Sequence, residues 1–104
     1  MEIEEIAPKA ALVKVENGTV FVDVREQYEV DDVAYDLPGI LHIPLGDLPT
    51  RMTEIPQGAN VIIGCRSGAR SLNACKYLVM QGFENVSNLQ GGINGWIEND
   101  CPTK

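Results

Sequence analysis

The sequence predicts an α/β fold, a mostly parallel central sheet of about five strands with helices on both faces. Three observations predict it. Short β-branched and apolar runs alternate along the chain with amphipathic segments of helical period. The strand-like runs are separated by helical connections, which parallel strands require. The runs at residues 19–24 and 60–65 are largely apolar, as strands covered on both faces are. With 104 residues, one domain over residues 1–104 is expected, and 44% hydrophobic residues suffice for a core without disulfide staples.

The elements follow in order. Residues 7–18, APKAALVKVENG, read as a helix with Pro8 in its first turn and Gly18 after its end. Residues 19–24, TVFVDV, are a β-branched strand. Residues 40–44, ILHIP, are a shorter strand stopped by Pro44. Residues 45–55, LGDLPTRMTEI, have weak helical character interrupted by Pro49. Residues 60–65, NVIIGC, are the clearest strand, and residues 69–83, ARSLNACKYLVMQGF, the clearest helix. In that helix Leu72, Cys75, Leu78 and Val79 share a face, and Gly82 suits the position after the C-cap. Residues 85–89, NVSNL, make a last strand and residues 91–99, GGINGWIEN, a last helix. In open parallel sheets ligands bind beyond the carboxyl ends of the strands. Those ends carry Asp23-Val24-Arg25, Ile43-Pro44, Cys65 and Leu89-Gln90, and Cys65 is the nucleophilic thiol among them.

Composition excludes several classes of function. A net charge of −7 argues against nucleic acid, whose phosphates reward a basic surface. No apolar run approaches the roughly 20 residues of a membrane helix, so no membrane partner is expected. The acidic start, MEIEEIAPKA, lacks the basic and apolar regions of a secretory signal, and a cytoplasmic location is the expectation. The cysteines Cys65, Cys75 and Cys101 are odd in number and lack the spacing of a disulfide framework or a zinc site. No metal constellation or phosphate-binding glycine motif is present, and no cofactor is called for.

The stretch VIIGCRSGARS, residues 61–71, carries the chemistry. Every residue from Arg66 to Ser71 keeps its backbone N–H, and a helix start leaves such donors unpaired with a partial positive charge. A loop curled around the sulfur would aim them at it as an anion nest, with Gly68 allowing the curl and Arg66 and Arg70 adding full charge. A free thiol has a pKa of about 8.5, so about 3% is thiolate at pH 7. Lowering it by about two units takes roughly 2.7 kcal/mol, within reach of two charge-assisted bonds. A cysteine at a strand end is often just a small buried hydrophobe. Strand, thiol, arginine, glycine, second arginine and helix in that order favour a reactive sulfur instead.

CRSGARS resembles the active-site loop of the rhodanese family in its single-domain form. FVDVRE with Glu29 resembles that family's Asp-x-Arg motif, LPGILHIP its His-Ile-Pro-Gly segment, and GFENVSNLQGGINGW its closing strand, Gly-Gly turn and tryptophan helix. The resemblance spans about residues 20–97 and implies a rhodanese-like fold and a sulfurtransferase. Cys65 would take the outer sulfur of thiosulfate or a similar donor as a persulfide, held by Arg66, Ser67, Gly68, Ala69 and Arg70, and pass it to a thiol or to cyanide. Arg66 and Arg70 would bind the anionic donor. The sequence departs from the family where Tyr35-Asp36 replaces the usual Gly-His, within an acidic connection at residues 30–36.

Two further classes remain. One is a persulfide relay module with a protein donor and a protein acceptor, for which the acidic residues 29–36 would serve in docking. The other, more distant, is a cysteine-dependent phosphatase or arsenate reductase. Four residues separate Cys65 from Arg70, one fewer than in those phosphatases, which favours a single bound sulfur over a tetrahedral oxyanion. The remaining polar and aromatic residues have structural readings. Asp23 and Arg25 brace the strand end, with an Arg25–Glu29 salt bridge as one form of it. His42 is a core or turn residue before it is an acid or base for Cys65. Cys75 is inert on an apolar face, Cys101 is exposed near the C-terminus, and Trp96 anchors the last helix.

Overall fold

The computed structural model describes residues 2–104. Its five strands form one all-parallel sheet. They are β1 (Glu4–Ile6), β2 (Val20–Asp23), β3 (Leu41–His42), β4 (Val61–Gly64) and β5 (Val86–Leu89), in the spatial order β1-β5-β4-β2-β3. The helices are α1 (Pro8–Glu16), α2 (Gln27–Asp32), α3 (Leu48–Arg51), α4 (Ala69–Met80) and α5 (Gly92–Glu98).

Successive side chains of the central strands serve two separate cores, as the period of a pleated strand dictates. Val22 and Ile63 join Leu48, Ala74, Cys75 and Leu78 on the face covered by α3 and α4. Phe21 and Ile62 join Ala11, Val15, Ile93 and Trp96 on the face covered by α1 and α5. This double covering explains why β4 is buried along its whole length.

Four strands fall where the sequence puts them. The fifth, β1, is missed because Glu4 and Glu5 are poor strand formers. Both are exposed at the sheet edge, where charge discourages further pairing, and Ile6 alone is buried. The helix α2 is also missed: it buries no residue and so has no apolar stripe to read. A capping box forms it instead, in which Glu26 accepts from the backbone of Glu29 and the Glu29 carboxylate accepts from the Glu26 N–H at 3.0 Å. The weak helix of residues 45–55 breaks into 3₁₀ turns at Leu45–Asp47 and Met52–Glu54 around α3.

The face of α4 is rotated from the one expected. Ser71, Ala74, Cys75 and Leu78 are buried, while Leu72 and Val79 are half-buried. The helix ends as its glycine indicates: Phe83 N–H donates to Leu78 O and Gly82 N–H to Val79 O, a Schellman closure. Residues 102–104 return to the connection after α2. Lys104 and Ala34 exchange two backbone bonds of 2.8 and 2.9 Å, and Asp36 N–H donates to Pro102 O at 3.0 Å.

Candidate active site

Strand β4 delivers Cys65 to the carboxyl edge of the sheet between β5 and β2. The backbone around the thiol is fixed from two sides. The Cys65 carbonyl accepts from the Tyr35 hydroxyl at 2.6 Å and from Ile93 N–H at 2.8 Å, and the Arg66 carbonyl accepts from Asn94 N–H at 3.1 Å. The start of α5 therefore lies directly on the thiol loop. Only glycine allows that approach at Gly92, where a Cβ would fall 2.5 Å from the Arg66 carbonyl carbon and oxygen. Gly68, at φ 109°, turns the chain into α4.

That turn brings two donors to the sulfur. Gly68 N–H lies 3.1 Å from Cys65 Sγ and the Ser71 hydroxyl 3.2 Å from it. Burial opposes ionisation of Cys65, but the Ser71 hydroxyl and the amides of Ser71, Gly68 and Ser67 outweigh it and hold the thiol below its ordinary value. The donor set around the sulfur has Gly68 N–H as its hydrogen-bonded backbone member, out of the amides of residues 66–70 expected there. Its side-chain member, Ser71, is an addition that the sequence reading did not include.

Ser71 has one hydroxyl proton and two acceptors. Its Oγ is also 2.5 Å from Asn88 Oδ1. The Asn88 amide nitrogen donates to the Gly68 carbonyl at 3.1 Å and to Glu5 at 2.9 Å, which fixes its oxygen toward Ser71. The single hydroxyl proton serves one of these two acceptors at a time, the Cys65 sulfur or the Asn88 oxygen. A polar residue in an apolar strand is the signal that could have found Asn88, since buried amides need partners.

The guanidiniums differ from one another. Arg25 does not pair with the Glu29 side chain. It folds back on Asp23, with contacts of 2.8, 3.0 and 3.1 Å, and both residues are 2% exposed or less. Its other end donates to the Val33 and Glu29 carbonyls and lies over the Tyr35 ring, 5.2 Å from the centroid. This knot holds α2 and Tyr35, and through Tyr35 the carbonyl of the thiol residue. Glu29 pairs instead with Arg70, oxygen to nitrogen at 2.7 and 2.8 Å. That bond is the first cause holding the Glu29 carboxyl down at about 2. Arg66 is exposed and makes no ion pair among the described residues.

His42 is structural: its Nε2 lies 2.7 Å from the Arg25 carbonyl. Cys75 is buried and its thiol is pushed up to about 12 by burial, then by Glu5 and Cys65. Cys101 is not exposed as expected. It is 7% exposed within the α1/α5 core, and burial raises its thiol. Trp96 is fully buried with its indole N–H on the Pro102 carbonyl at 2.7 Å.

A cleft of about 290 Å³ adjoins the loop, with Arg66, Asp32, Tyr28, Val33, Ile93 and Ile97 on its walls. A larger one of about 360 Å³ lies at the opposite edge, where β4 and β5 begin. Its walls are mostly polar and carry no thiol, so chemistry rather than size singles out the candidate site. Among the described residues, no three His, Cys, Asp or Glu side chains cluster to hold a metal, and no helix is long and apolar enough to cross a membrane.

Residues 7–99 match the rhodanese-like domain model. A protein of Allochromatium vinosum named sulfurtransferase is 43% identical over 83 residues, 80% of this chain and 76% of that protein. The thiosulfate sulfurtransferase GlpE of Haemophilus influenzae is 30% identical, over 98% of this chain and 95% of its own. The crystal structure of a rhodanese-related protein from Thermoplasma volcanium superposes with a TM-score of 0.84 at 26% identity, covering 97% of each chain.

Proposed function

The chain belongs to the rhodanese-like domain family, and from that premise we propose that residues 1–104 act as one rhodanese-like domain that moves sulfane sulfur from thiosulfate or a similar donor to a thiol or cyanide through a persulfide on Cys65. The observation that carries this reading is the pair of donors on the sulfur, Gly68 N–H and the Ser71 hydroxyl, acting where burial alone would keep the thiol protonated.

The Cys65 thiolate attacks the outer sulfur of the donor. A sulfur–sulfur bond forms on Cys65 as the donor's own breaks, and sulfite departs with the electron pair. The persulfide anion occupies the same nest, over Arg66, Ser67, Gly68, Ala69 and Arg70, with the Ser71 hydroxyl as an additional donor. An acceptor thiolate or cyanide then attacks the terminal sulfur, leaving as a persulfide or thiocyanate and restoring the Cys65 thiolate. Fixed dipoles favour ionisation of the nucleophile and also meet each later anion, which takes over work a general base would otherwise do. Cys65 is 1% exposed, which favours a small projecting donor sulfur over a bulky electrophile. The expected setting is the cytoplasm, where thiols stay reduced.

Mass spectrometry tests this. Thiosulfate adds one sulfur to the protein at Cys65, cyanide removes it, and Cys65→Ser gains none. Well-folded protein that gains no mass from any sulfane donor overturns the reading. A relay between proteins is the second reading, favoured by Tyr28 and Ile97, which are 74% and 47% exposed on the cleft beside the loop. Fast loading from a protein persulfide together with slow thiosulfate turnover would select it.

A further inference from the structure

The bidentate pairing of Arg70 with Glu29 changes what an incoming donor meets. Arg70 is one of the two cations of the thiol loop, and its charge is opposed in place by a carboxylate of α2 only 12% exposed. The capping box fixes that carboxylate independently, since Glu29 also accepts from the Glu26 N–H. Arg25 is likewise matched, by Asp23. The cleft beside the loop is walled by Arg25 and Glu29, both already paired, by Arg66 and Asp32, of opposite sign, and otherwise by largely apolar residues; Arg70 borders it through Glu29. Such a mouth is close to neutral and offers a dianion little.

We propose that Glu29 is a specificity-determining residue that sets the charge class of the donor: by neutralising Arg70 it favours singly charged organic sulfane carriers, such as thiosulfonates and organic persulfides, over the thiosulfate dianion. This rests on the sulfur-transfer reading above. The chemistry is the same for both donors. With thiosulfate, the Cys65 thiolate becomes the persulfide anion and sulfite leaves. With methanethiosulfonate, the same sulfur–sulfur bond forms and methanesulfinate leaves with the electron pair. Three negative charges enter and leave in the first case, two in the second. The donors therefore differ by one charge at the mouth, and the ratio of their rates reads the local field while cancelling general damage to the site.

The experiment measures kcat/KM for sulfur loading of Cys65 from each donor at low ionic strength. Glu29→Gln raises the thiosulfate-to-methanethiosulfonate ratio about tenfold, the size of one unscreened unit charge several ångströms away in a medium of intermediate dielectric. Arg70→Gln, which unmasks Glu29, lowers the ratio by a similar factor. The double variant returns it near the wild-type value, and Glu29→Asp, which keeps the charge, leaves it within about twofold of wild type. If the variants slow both donors alike, with a constant ratio, Glu29 is a structural brace and the proposal is overturned. Should Glu29→Gln fail to fold, Arg70→Gln alone decides, since an unchanged ratio there overturns it equally. A wild-type protein that loads from neither donor fails earlier, at the sulfur-transfer reading itself.

Discussion

At the scale of single residues, the site depends on where a few protons and carbonyls are held. Cys65 and Gly68 were legible because a thiol between an apolar strand and a helix, with a glycine three residues on, has few other uses. Ser71 was less so, since a serine in a first helical turn usually faces water; here the rotation of α4 buries it completely. In the sequence Tyr35 stands out only as a departure from the family pattern, yet its ring fills the core and its hydroxyl holds the Cys65 carbonyl. Burial, then the charge of Asp23, raises that phenol above its ordinary value, so it stays a neutral donor. The Ser71 hydroxyl bonds the charged form of Cys65 more strongly than the neutral one. Ser71→Ala is expected to raise the Cys65 thiol, since one charge-assisted bond to its ionised form is lost. Ultraviolet titration of thiolate absorbance reads this directly, because Cys75 and Cys101 are raised and ionise later. An unmoved first titration step would show that the amides alone hold the sulfur.

At the scale of elements, α2 and α4 are joined through the Glu29–Arg70 pair rather than through apolar packing. That explains why the sequence failed to show α2, whose partner lies 41 residues away and whose own surface is polar. Four strands and the α4 termination were readable because each follows a local rule: β-branched runs for the strands, a glycine at positive φ after the helix. The ion pair has a pH signature. The Glu29 carboxyl is lowered in the folded protein from 4.5 to about 2, so the unfolded chain binds its proton first as pH falls. The pair's contribution is therefore complete above about pH 4.5 and disappears as pH drops toward 2. Because Arg70 is about a third exposed, the contribution at neutral pH is taken as about 1–2 kcal/mol. Urea unfolding should show Glu29→Gln less stable than wild type by that amount at pH 7, with the gap closing at pH 2–3. A gap that persists at low pH would mean that the capping box or packing, not the ion pair, sets the loss.

At the scale of the whole molecule, the strand order β1-β5-β4-β2-β3 places the thiol strand at the centre and the N-terminal strand at one edge. The order is not local information: strands far apart in the chain become neighbours, which no single run of residues announces. The end of the chain was similarly opaque, since nothing in CPTK indicates a strand. Yet residues 102–104 make three backbone bonds with Ala34 and Asp36, which flank the Tyr35–Thr103 bridge, and the Pro102 carbonyl accepts the Trp96 indole N–H. Tyr35 packs on Trp96 with centroids 5.4 Å apart and bonds the Cys65 carbonyl. A path of direct contacts therefore runs from the C-terminal residues to the backbone of the thiol loop. Removing residues 102–104 unpairs the buried indole N–H and the Ala34 and Asp36 backbone groups, at about 1 kcal/mol for each bond not replaced by water. A loss of about 2 kcal/mol lowers the thermal midpoint of a domain this size by roughly 8–16 °C. If the path works as the contacts indicate, the truncated protein also loads sulfur more slowly at temperatures where it remains folded, and Tyr35→Phe reproduces the slower loading with a smaller loss of midpoint. Truncated protein of unchanged loading rate would reduce the tail to a stability element with no hold on the site.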